Sequence, residues 1–525
     1  MCGVGRLGML LLAPWFAAAT AAAQLTDLTQ TPNAAGAGIA KSLEQEIGPG
    51  RGDVLTPGSS RFLIARDPFR SIRRGRQLFQ RKFTAAQGVG PRTGDGVGDI
   101  EGDASCGAGL ADSCASCHGR PRGAAGFGGD VFTRPDSRDA PHLFGLGLQE
   151  MLADEITKDL RTTRTKAIVL AHGQGISVTL PLRSKGIGYG FITALPDGSV
   201  LTGGVEGVDP DLRVRPFFAQ GATISIREFI VGACNAEMGL EAPDPDLLAA
   251  SEGEIVTTPA GMVLNGKSDR IEAPPVKTPG ADPDGDGVAN EIDTAVVDHL
   301  EFYLLNYFKP AIGRQSDAAR EGRRVFEDIG CAACHVPDLL VRRDRRVADV
   351  ETTFDPLNGI FNRLFATATG RFTNVDDGSG FPTRKGPSLR PFLVRNILAD
   401  FKRHDLGPNF HERNFDGSVT THFLTEPLWG VASTAPYGHD GRSTNLEEVI
   451  LRHGGEALSA RNTFAAMHAV QQTQLMAFLG TLVLFPPDDT ASNLDPGDPA
   501  TIGFPQFGHG SVKLTALFNN PSDIE

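Results

Sequence analysis

The chain has 525 residues, of which 40% are hydrophobic, so it can form two or three domains with ordinary cores. Its formal net charge of −13 at pH 7 argues against nucleic acid or an anionic membrane surface as its partner. Glycine and proline are frequent (63 and 35 residues), and we therefore expect a large share of loop.

The N-terminus has the pattern of a cleavable secretory signal. Arg6 supplies the basic start, residues 7–19 are largely apolar, and three alanines at 21–23 predict a cleavage site. The apolar run is short and contains Pro14, which argues against a stable membrane span. We expect residues 1–23 to be a signal peptide and the mature protein to be periplasmic.

A leader, a helix and a cysteine motif follow in that order. Residues 24–60 are polar and contain glycine and proline, which predicts a leader or linker. A helical pattern starts near Pro68 and includes Gly75 and Phe79. Residues 114–118 then read Cys-Ala-Ser-Cys-His, which is the attachment motif of a c-type haem. In such a motif two thiols bond to porphyrin vinyl groups and the histidine binds the iron.

The motif occurs a second time at residues 331–335. A matching helical pattern with Gly322 and Phe326 precedes this copy. A zinc site or a disulfide is the alternative, but zinc would need further ligand pairs that the chain lacks. The predicted haem-binding residues are Cys114, Cys117, His118, Cys331, Cys334 and His335, with the two histidines as iron ligands.

The repeated pattern predicts a mainly α fold with two cytochrome c-like haem domains related by internal duplication. The first would span residues 61–250 and the second residues 311–485. Within the first, alternating polarity around Pro196-Asp197-Gly198 predicts a small β insertion at about 182–218. Residues 222–240 return to a helical pattern.

Two cysteines, Cys106 and Cys234, remain outside the motifs and the signal. An even pair in an oxidising compartment predicts a disulfide between them, and two buried free thiols are the alternative.

Residues 251–310 predict a linker that carries a calcium loop and a helix. Aspartates alternate as in an EF-type loop, Gly287 permits the sharp turn, and Asp293 stands where glutamate is usual. A helical pattern follows from Val296 to Phe308. The alternative is an Asp/Gly turn that binds no ion. The predicted Ca²⁺ ligands are Asp282, Asp284, Asp286, Val288, Asn290 and Asp293.

Residues 425–457 read TEPLWGVASTAPYGHDGRSTNLEEVILRHGGEA. This stretch closely resembles the C-terminal signature of bacterial di-haem cytochrome c peroxidases and of the related di-haem oxidoreductases, some of which are labelled thiol oxidoreductases. Residues 141–152 and 227–240 resemble the second group. The resemblance extends over about residues 60–485, ahead of a Pro-, Asp- and Gly-rich stretch, 486–525, that we expect to form a tail.

The resemblance also points to ligands of the second haem. In the peroxidases a methionine fourteen residues after the histidine of the His-Asp-Gly-Arg motif binds this iron, and here that position is His453. We expect His453 to be the ligand, since a helical pattern from Leu446 places it on an apolar face. Two histidine ligands should lower the reduction potential relative to a histidine and a methionine. Met467 is the alternative ligand, unless it is a core residue.

The first haem is less well defined by the resemblance. The peroxidases place a detachable histidine about sixteen residues after the motif, where this chain has Arg134. The nearest candidate is His142, as a ligand or as a distal acid–base group, with Met151 or an open iron site as alternatives. The family's catalytic glutamate suggests Glu150, which could equally be a solvated helix residue.

The remaining histidines predict supporting roles. We expect His439 to hydrogen-bond a haem propionate or the backbone, and His404, His411 and His422 to lie in loops near propionates.

Together, the resemblance implies a periplasmic di-haem oxidoreductase that passes electrons between its haems and reduces a peroxide-type oxidant. The alternatives are a non-catalytic electron carrier and an enzyme that oxidises a thiol or another donor. The implied partners are an external electron donor or acceptor, such as a small cytochrome or a cupredoxin-like protein, and a small-molecule oxidant.

Overall fold

The computed structural model describes most of both predicted haem domains. The predicted signal peptide and tail lie outside the described residues, as do Cys106, Arg134 and the calcium-loop residues Asp284 and Asp286. The described residues are 42–89, 111–118, 139–278, 280–283, 285, 287–306, 309–313, 315–349, 351–353, 369–370, 372–381, 384–387, 389–414, 417–432 and 434–483.

Polar residues fix the starts of several helices. The side chains of Ser225, Ser316 and Asn445 each accept a backbone N–H from the residue three positions on. The helices are α1 (Leu43–Ile47), α2 (Ser60–Arg66), α3 (Pro68–Gln80), α4 (Cys114–Cys117), α5 (Leu146–Gln174), α6 (Ile226–Met238), α7 (Pro245–Ser251), α8 (Thr294–Asn306), α9 (Asp317–Asp328), α10 (Leu446–Arg452), α11 (Leu458–Ala466) and α12 (Ala469–Leu479).

The strands are short except for one hairpin, and they pair into two- and three-stranded sheets. They are β1 (Val178–Ser184), β2 (Ile187–Ala194), β3 (Val200–Leu201), β4 (Ile255–Thr257), β5 (Val263–Asn265), β6 (Lys309–Ile312), β7 (Leu339–Val341), β8 (Ala348–Asp349), β9 (Glu351–Thr353), β10 (Thr369–Gly370), β11 (Phe372–Val375), β12 (Arg384–Pro387), β13 (Phe392–Val394), β14 (Arg403–Asp405), β15 (Glu412–Arg413), β16 (Val419–Thr420), β17 (His422–Leu424) and β18 (Leu482–Val483).

The predicted β insertion is confirmed as a three-stranded antiparallel sheet, β1-β2-β3. Its second turn falls at the predicted Pro196-Asp197-Gly198, where the Leu195 N–H donates to the carbonyl of Ser199 (2.9 Å). The strands run from 178 to 201 rather than over the expected 182–218. A turn at Lys185-Gly186, both with positive φ, joins the first two strands and was not predicted.

Two helix pairs cross at glycines, one pair in each predicted domain. In the first, α3 packs on α8, and a Cβ at Gly75 would lie 2.2 Å from the carbonyl oxygen of His299. In the second, α9 packs on α12, and a Cβ at Gly322 would lie 1.8 Å from the carbonyl oxygen of Gln474. Only glycine permits such close backbone approach. Helix α8, the second member of the first pair, lies in residues 251–310, which were expected to be a linker.

Helix α5 connects the two parts of the molecule. Its first half is buried in the main core, and its acidic residues contact an arginine-rich loop of the second part. Arg342 pairs with Glu155 (3.2 Å) and Asp159 (2.9 Å), and Arg345 pairs with Asp154 (2.6 Å). These ion pairs fasten the loop after β7 to the long helix.

The expectation of a mainly α fold holds only in part. The described residues between the second cysteine motif and residue 424 form mostly short strands and loops. No helix among the described residues is both long and apolar enough to cross a membrane.

Candidate haem sites

The first cysteine motif forms a single helical turn, α4, and His118 follows it directly. The His118 N–H donates to the Cys114 carbonyl (3.1 Å), and its Nδ1 donates to the carbonyl of Pro141 (2.8 Å). That hydrogen bond fixes the tautomer and leaves Nε2 for a metal. The rings of Phe79 and Phe229 lie 6.4 and 6.2 Å from the imidazole, centroid to centroid.

The second motif repeats this arrangement. The His335 N–H donates to the Cys331 carbonyl (3.0 Å), and its Nδ1 donates to the carbonyl of Leu398 (3.1 Å). Phe326, from the helix that precedes the motif, lies 6.2 Å from the ring. The equivalent phenylalanine of the first motif is Phe79, so the two sites share an aromatic contact as well as the backbone hydrogen bond.

Burial keeps both motif histidines neutral. It lowers the pKa of His118, and it lowers the pKa of His335 to about 4, with the charge of His453 as the next cause. Iron binds the neutral imidazole, so the lowered pKa favours ligation at neutral pH. Both side chains nevertheless remain partly accessible to solvent. This partial exposure is compatible with a cofactor bound against the two rings.

His453 has the properties expected of the second ligand. It ends α10, and its Nδ1 donates to the carbonyl of Val449 (2.7 Å), which leaves Nε2 for a metal. Burial lowers its pKa. The charge of His453 is the second cause of the lowered pKa of His335, so the two side chains interact electrostatically. Phe410 contacts the His453 ring edge to face, with 5.2 Å between centroids.

The His-Asp-Gly-Arg segment holds this helix in place. Asp440 pairs with Arg452 (2.7 Å), the residue before His453, and the Arg452 guanidinium lies over the ring of Phe410 (4.4 Å). His439 stacks on Phe423 with 3.9 Å between centroids. Its Nε2 lies 3.2 Å from Glu412, so its partner is a carboxylate rather than the backbone.

The structure gives His142 a different environment from the one expected for an iron ligand. Its Nε2 donates to the carbonyl of Trp429 (2.9 Å), and its Nδ1 accepts the N–H of Phe144 (3.2 Å). Burial lowers the pKa of the ring to about 4. Both nitrogens are therefore engaged, and neither is available to iron in this arrangement.

The two neighbouring candidates on α5 are also engaged. Glu150 is 3% exposed, and its carboxylate accepts the N–H of Ile226 at the start of α6 (2.8 Å), so it is not a solvated helix residue. Burial, and then the charge of Asp154, raise its pKa well above the usual range. The sulfur of Met151 accepts the N–H of Arg345 (3.2 Å) in the core, which matches the structural alternative to ligation.

Met467, the alternative ligand of the second haem, lines a cavity of about 640 Å³. The cavity lies between the end of α9, α11 and the start of α12. Ile329, two residues before the second motif, belongs to the same wall. The position of Met467 is therefore close to the motif.

The loop histidines contact carboxylates. His404 lies between Asp400 (2.9 Å) and Glu456 (2.7 Å). Burial opposes its protonation, but the hydrogen bonds with Asp400 and Cys334 outweigh it and raise the pKa of His404 to about 11. Cys334, Asp400 and His404 form a cluster that no sequence spacing indicates. If a haem is attached at Cys334, its sulfur is a thioether and Asp400 and His404 would lie beside that attachment point.

The other two loop histidines contribute less. His411 Nε2 lies 2.8 Å from Asp405, and His422 is exposed and contacts the hydroxyl of Thr421 (2.8 Å).

Two further residues near the boundary between the domains were not predicted. Trp429 is 3% exposed and its indole nitrogen is buried without a hydrogen-bond partner. Glu426 is exposed, and desolvation by the surrounding protein raises the pKa of its carboxyl group to about 7. The environment of Trp429 does not follow from spacing, because it is contacted by His142, 287 residues away in the chain.

The predicted calcium loop has the turn expected of an EF-type loop at its first ligand. The Asp282 carboxylate accepts the N–H groups of Gly285 (2.8 Å) and Gly287 (2.9 Å). Asp293 accepts the N–H of Ala295 (2.7 Å) and so caps α8. Asn290 has a positive φ, and its side chain accepts the N–H of Gly280 (3.1 Å). Oxygen donors of this type fit a hard cation.

Cys234 is buried on α6, and burial raises the pKa of its thiol. Its predicted partner Cys106 lies outside the described residues, so the disulfide remains a prediction.

Comparison with protein families gives one match. Residues 358–482 match the family described as "Di-haem oxidoreductase, putative peroxidase". This part of the chain is therefore similar to the di-haem oxidoreductase family. The match contains β11–β17, the His-Asp-Gly-Arg segment and His453, which confirms the resemblance seen in the sequence. No curated protein matched the chain.

Two solved structures show weak similarity. One is a hydrazine synthase from Kuenenia stuttgartiensis, with 15% identity, a TM-score of 0.22, and coverage of 36% of this chain and 55% of that chain. The other is a MauG-like protein associated with microbial copper homeostasis, with 14% identity, a TM-score of 0.24, and coverage of 55% and 78%. The chain spans about half the length of the first. Both similarities are too low to add to the family assignment.

Proposed function

We propose that this di-haem oxidoreductase is an exported c-type cytochrome that passes electrons between two covalently bound haems and reduces a peroxide-type oxidant. The observation that carries the proposal is the shared geometry of His118 and His335. Each follows a Cys-x-x-Cys turn, donates its Nδ1–H to a backbone carbonyl, leaves Nε2 for a metal, and is partly exposed. This is the arrangement that an axial histidine of a c-type haem requires.

An internal duplication accounts for the two sites. The crossing of α3 with α8 at Gly75 has its counterpart in the crossing of α9 with α12 at Gly322. In each pair a phenylalanine four residues after the glycine lies beside the motif histidine. These parallels support two cytochrome c-like domains, with the first extended to the end of α8.

The ligand environments favour different tasks for the two haems. His335 and His453 both present Nε2, which supports a closed second haem with two histidine ligands. Among the described residues, His142 and Met151 are hydrogen-bonded to other groups. This supports the first haem as the site that the oxidant reaches. The haem iron supplies the one-electron chemistry and the binding position for the oxidant.

Cleavage of a peroxide bond needs a proton donor, and two carboxyl groups are candidates. Glu150 remains the original candidate; burial, and then the charge of Asp154, raise its pKa, but its carboxylate already accepts the N–H of Ile226 at the start of α6. Glu426 has a pKa near 7 and an accessible carboxyl group at the boundary between the domains. A group with this pKa can both give and take a proton at neutral pH.

The proposed partners follow from the electron path. A small cytochrome or cupredoxin-like protein would exchange electrons with the second haem, and the acidic charge of the chain favours a basic partner. Calcium bound at Asp282, Asn290 and Asp293 would order the loop ahead of α8.

The test uses the full-length exported protein, reduced by one electron per chain and mixed with hydrogen peroxide. We expect an optical and EPR signal from one high-spin haem, and rapid peroxide-dependent oxidation. Two permanently low-spin haems with no oxidation would support a non-catalytic carrier instead. If peroxide has no effect while an added thiol reduces the haems catalytically, the thiol-oxidising alternative is correct.

A pair of variants locates the reaction. C114S/C117S should lose the first haem and the reaction with peroxide. C331S/C334S should keep the high-spin haem but lose the second redox centre. If C331S/C334S loses the reaction with peroxide and C114S/C117S keeps it, the proposed roles of the two haems are reversed.

A further inference from the structure

Residues 141–145 form a short loop that contacts both predicted haem domains. At its start, the carbonyl of Pro141 accepts the hydrogen bond from Nδ1 of His118. At the next position, His142 donates to the backbone carbonyl of Trp429, 287 residues away in the chain. The residue that orients His118 and the residue that contacts the second domain are therefore adjacent in the chain.

The far end of the loop contacts the same tryptophan. Gly145 has φ +76°, and a Cβ placed there would lie 2.7 Å from the indole ring of Trp429. A side chain at this position would separate the loop from the ring. The loop therefore holds Trp429 at two points, through its backbone carbonyl and through its indole.

The hydrogen bonds of His142 are compatible with only one protonation state. Because the Nδ1 atom accepts the Phe144 N–H, the ring is neutral and its single hydrogen lies on Nε2, directed at Trp429. Burial disfavours the protonated ring, with a pKa of about 4. The contact with the second domain therefore persists at neutral pH.

We propose that His142 is a positioning residue, which fastens the 141–145 loop to the backbone of Trp429 and so fixes the Pro141 carbonyl that orients the axial histidine of the first haem. This inference rests on the proposed function, because it concerns the properties of a haem bound at His118. It replaces the earlier expectation of His142 as a ligand. In this role the second domain influences how strongly His118 binds the iron of the first haem.

The physical basis is the second contact of a metal-bound imidazole. A strong Nδ1–H hydrogen bond increases the basicity of the ring, which stabilises the oxidised iron and lowers the reduction potential. If the loop moves away from His118, the hydrogen bond weakens and the potential of the first haem rises. The second haem, whose axial histidine donates to Leu398, should not change.

Three variants test this role. H142N keeps an acceptor for the Phe144 N–H but cannot reach Trp429. H142Q places an amide donor near the position of Nε2 and can restore that contact. H172N is the matched control, because His172 is exposed and far along α5 from the loop.

The measurement is a redox titration of the full-length protein, with the two haems followed separately by optical and EPR spectra. We expect H142N to raise the potential of the first haem alone, and to change the electron-sharing equilibrium between the haems about tenfold. H142Q and H172N should behave like the unmodified protein. Selective loss of the first haem from H142N, with H142Q normal, would also support the role.

Three results would overturn the inference. The first is an unchanged first haem in H142N, and the second is an equal shift in both haems. The third is equal loss of haem from H142N and H142Q, which would make His142 a folding residue only. All three require two haems in the unmodified protein; if that protein binds none, the proposed function fails instead.

Discussion

His453 shows how one residue can change the chemistry expected of a family site. The peroxidases that the sequence resembles have a methionine at this position, whereas here a histidine donates Nδ1 to its own helix and presents Nε2. Nitrogen in place of sulfur stabilises oxidised iron. The second haem should therefore have a lower potential than a histidine–methionine haem.

Replacement of His453 tests this directly. We expect H453M to raise the potential of the second haem, and H453A to convert that haem to a high-spin form. The measurement is a redox titration with EPR, and H411A, at another histidine of the same domain, is the control. A second haem that stays low-spin in H453A would identify another ligand, with Met467 the first to examine.

His299 is a second residue whose protonation matters, here for stability. It is fully buried on α8, its Nδ1 contacts the hydroxyl of Ser71 (2.8 Å), and its Nε2 is buried without a partner. Burial, and then the charge of Arg74, lower its pKa from 6.5 to about 3. The unfolded chain therefore binds a proton more readily than the folded one over this range.

The direction of the pH dependence follows from that difference. The stabilising contribution of neutral His299 is complete above pH 6.5 and is lost as the pH falls toward 3, at up to about 1.4 kcal/mol per pH unit. Denaturant unfolding of H299Q between pH 7 and 4 should show a shallower loss of stability than the unmodified protein. Equal slopes in the two proteins would contradict this, and H172Q at an exposed histidine should not alter the slope.

At the scale of elements, helices with one apolar face could be predicted from the sequence, whereas a helix that is buried along much of its length could not. The patterns around Pro68, Gly322 and Val296 correspond to α3, α9 and α8, and the Pro196-Asp197-Gly198 turn was found as expected. The long helix α5 was missed because its first half is buried on all sides and shows no regular polar face. The two- and three-residue strands of the second part are too short to produce an alternating pattern.

The helix crossings give a prediction for paired elements. G322A should destabilise the second domain by about 1–3 kcal/mol, because the new Cβ would overlap the backbone of Gln474. G173A is the control: this helical glycine of α5 has open space around it, so alanine should stabilise by up to about 1 kcal/mol. Chemical denaturation measures both. A neutral G322A would show that α9 and α12 do not cross this closely.

The calcium loop is an element whose order should depend on an ion. Asp282 and Asp293 bracket the loop, and Asp293 also caps α8, which packs on α3. Chelation should therefore lower the thermal stability of the first domain, and added Ca²⁺ should restore it. D282N, which removes a ligand charge and keeps only one of the two oxygens that accept the N–H groups of Gly285 and Gly287, should reduce the effect of chelation. Stability and haem spectra that are indifferent to chelation would mean that the loop binds no calcium.

At the scale of the whole molecule, the two predicted domains are joined by ion pairs and by the haem-site loop. Arg345 pairs with Asp154 (2.6 Å), Lys185 of the β hairpin contacts the carbonyl of Leu340, and Asp139 donates its N–H to the carbonyl of His439 (2.9 Å). The last of these contacts and the His142–Trp429 contact both reach the loop that holds His118. The environment of the first haem is therefore built by both parts of the chain.

The sequence indicated which residues could attach and bind the haems but not the contacts around them. The two Cys-x-x-Cys-His motifs and His453 could be found from local spacing and from the family resemblance. The engagement of His142 by Trp429 could not, since the two residues are 287 positions apart in the chain. Every residue has a backbone carbonyl, so the residue type at position 429 does not indicate that its carbonyl accepts a hydrogen bond.

The most direct test of the central claim is the intact mass of the exported polypeptide, produced where c-type haem is attached. The account predicts two covalent haems per chain, one at Cys114 and Cys117 and one at Cys331 and Cys334. A polypeptide that carries no haem, in cells that mature a known c-type cytochrome normally, would contradict it.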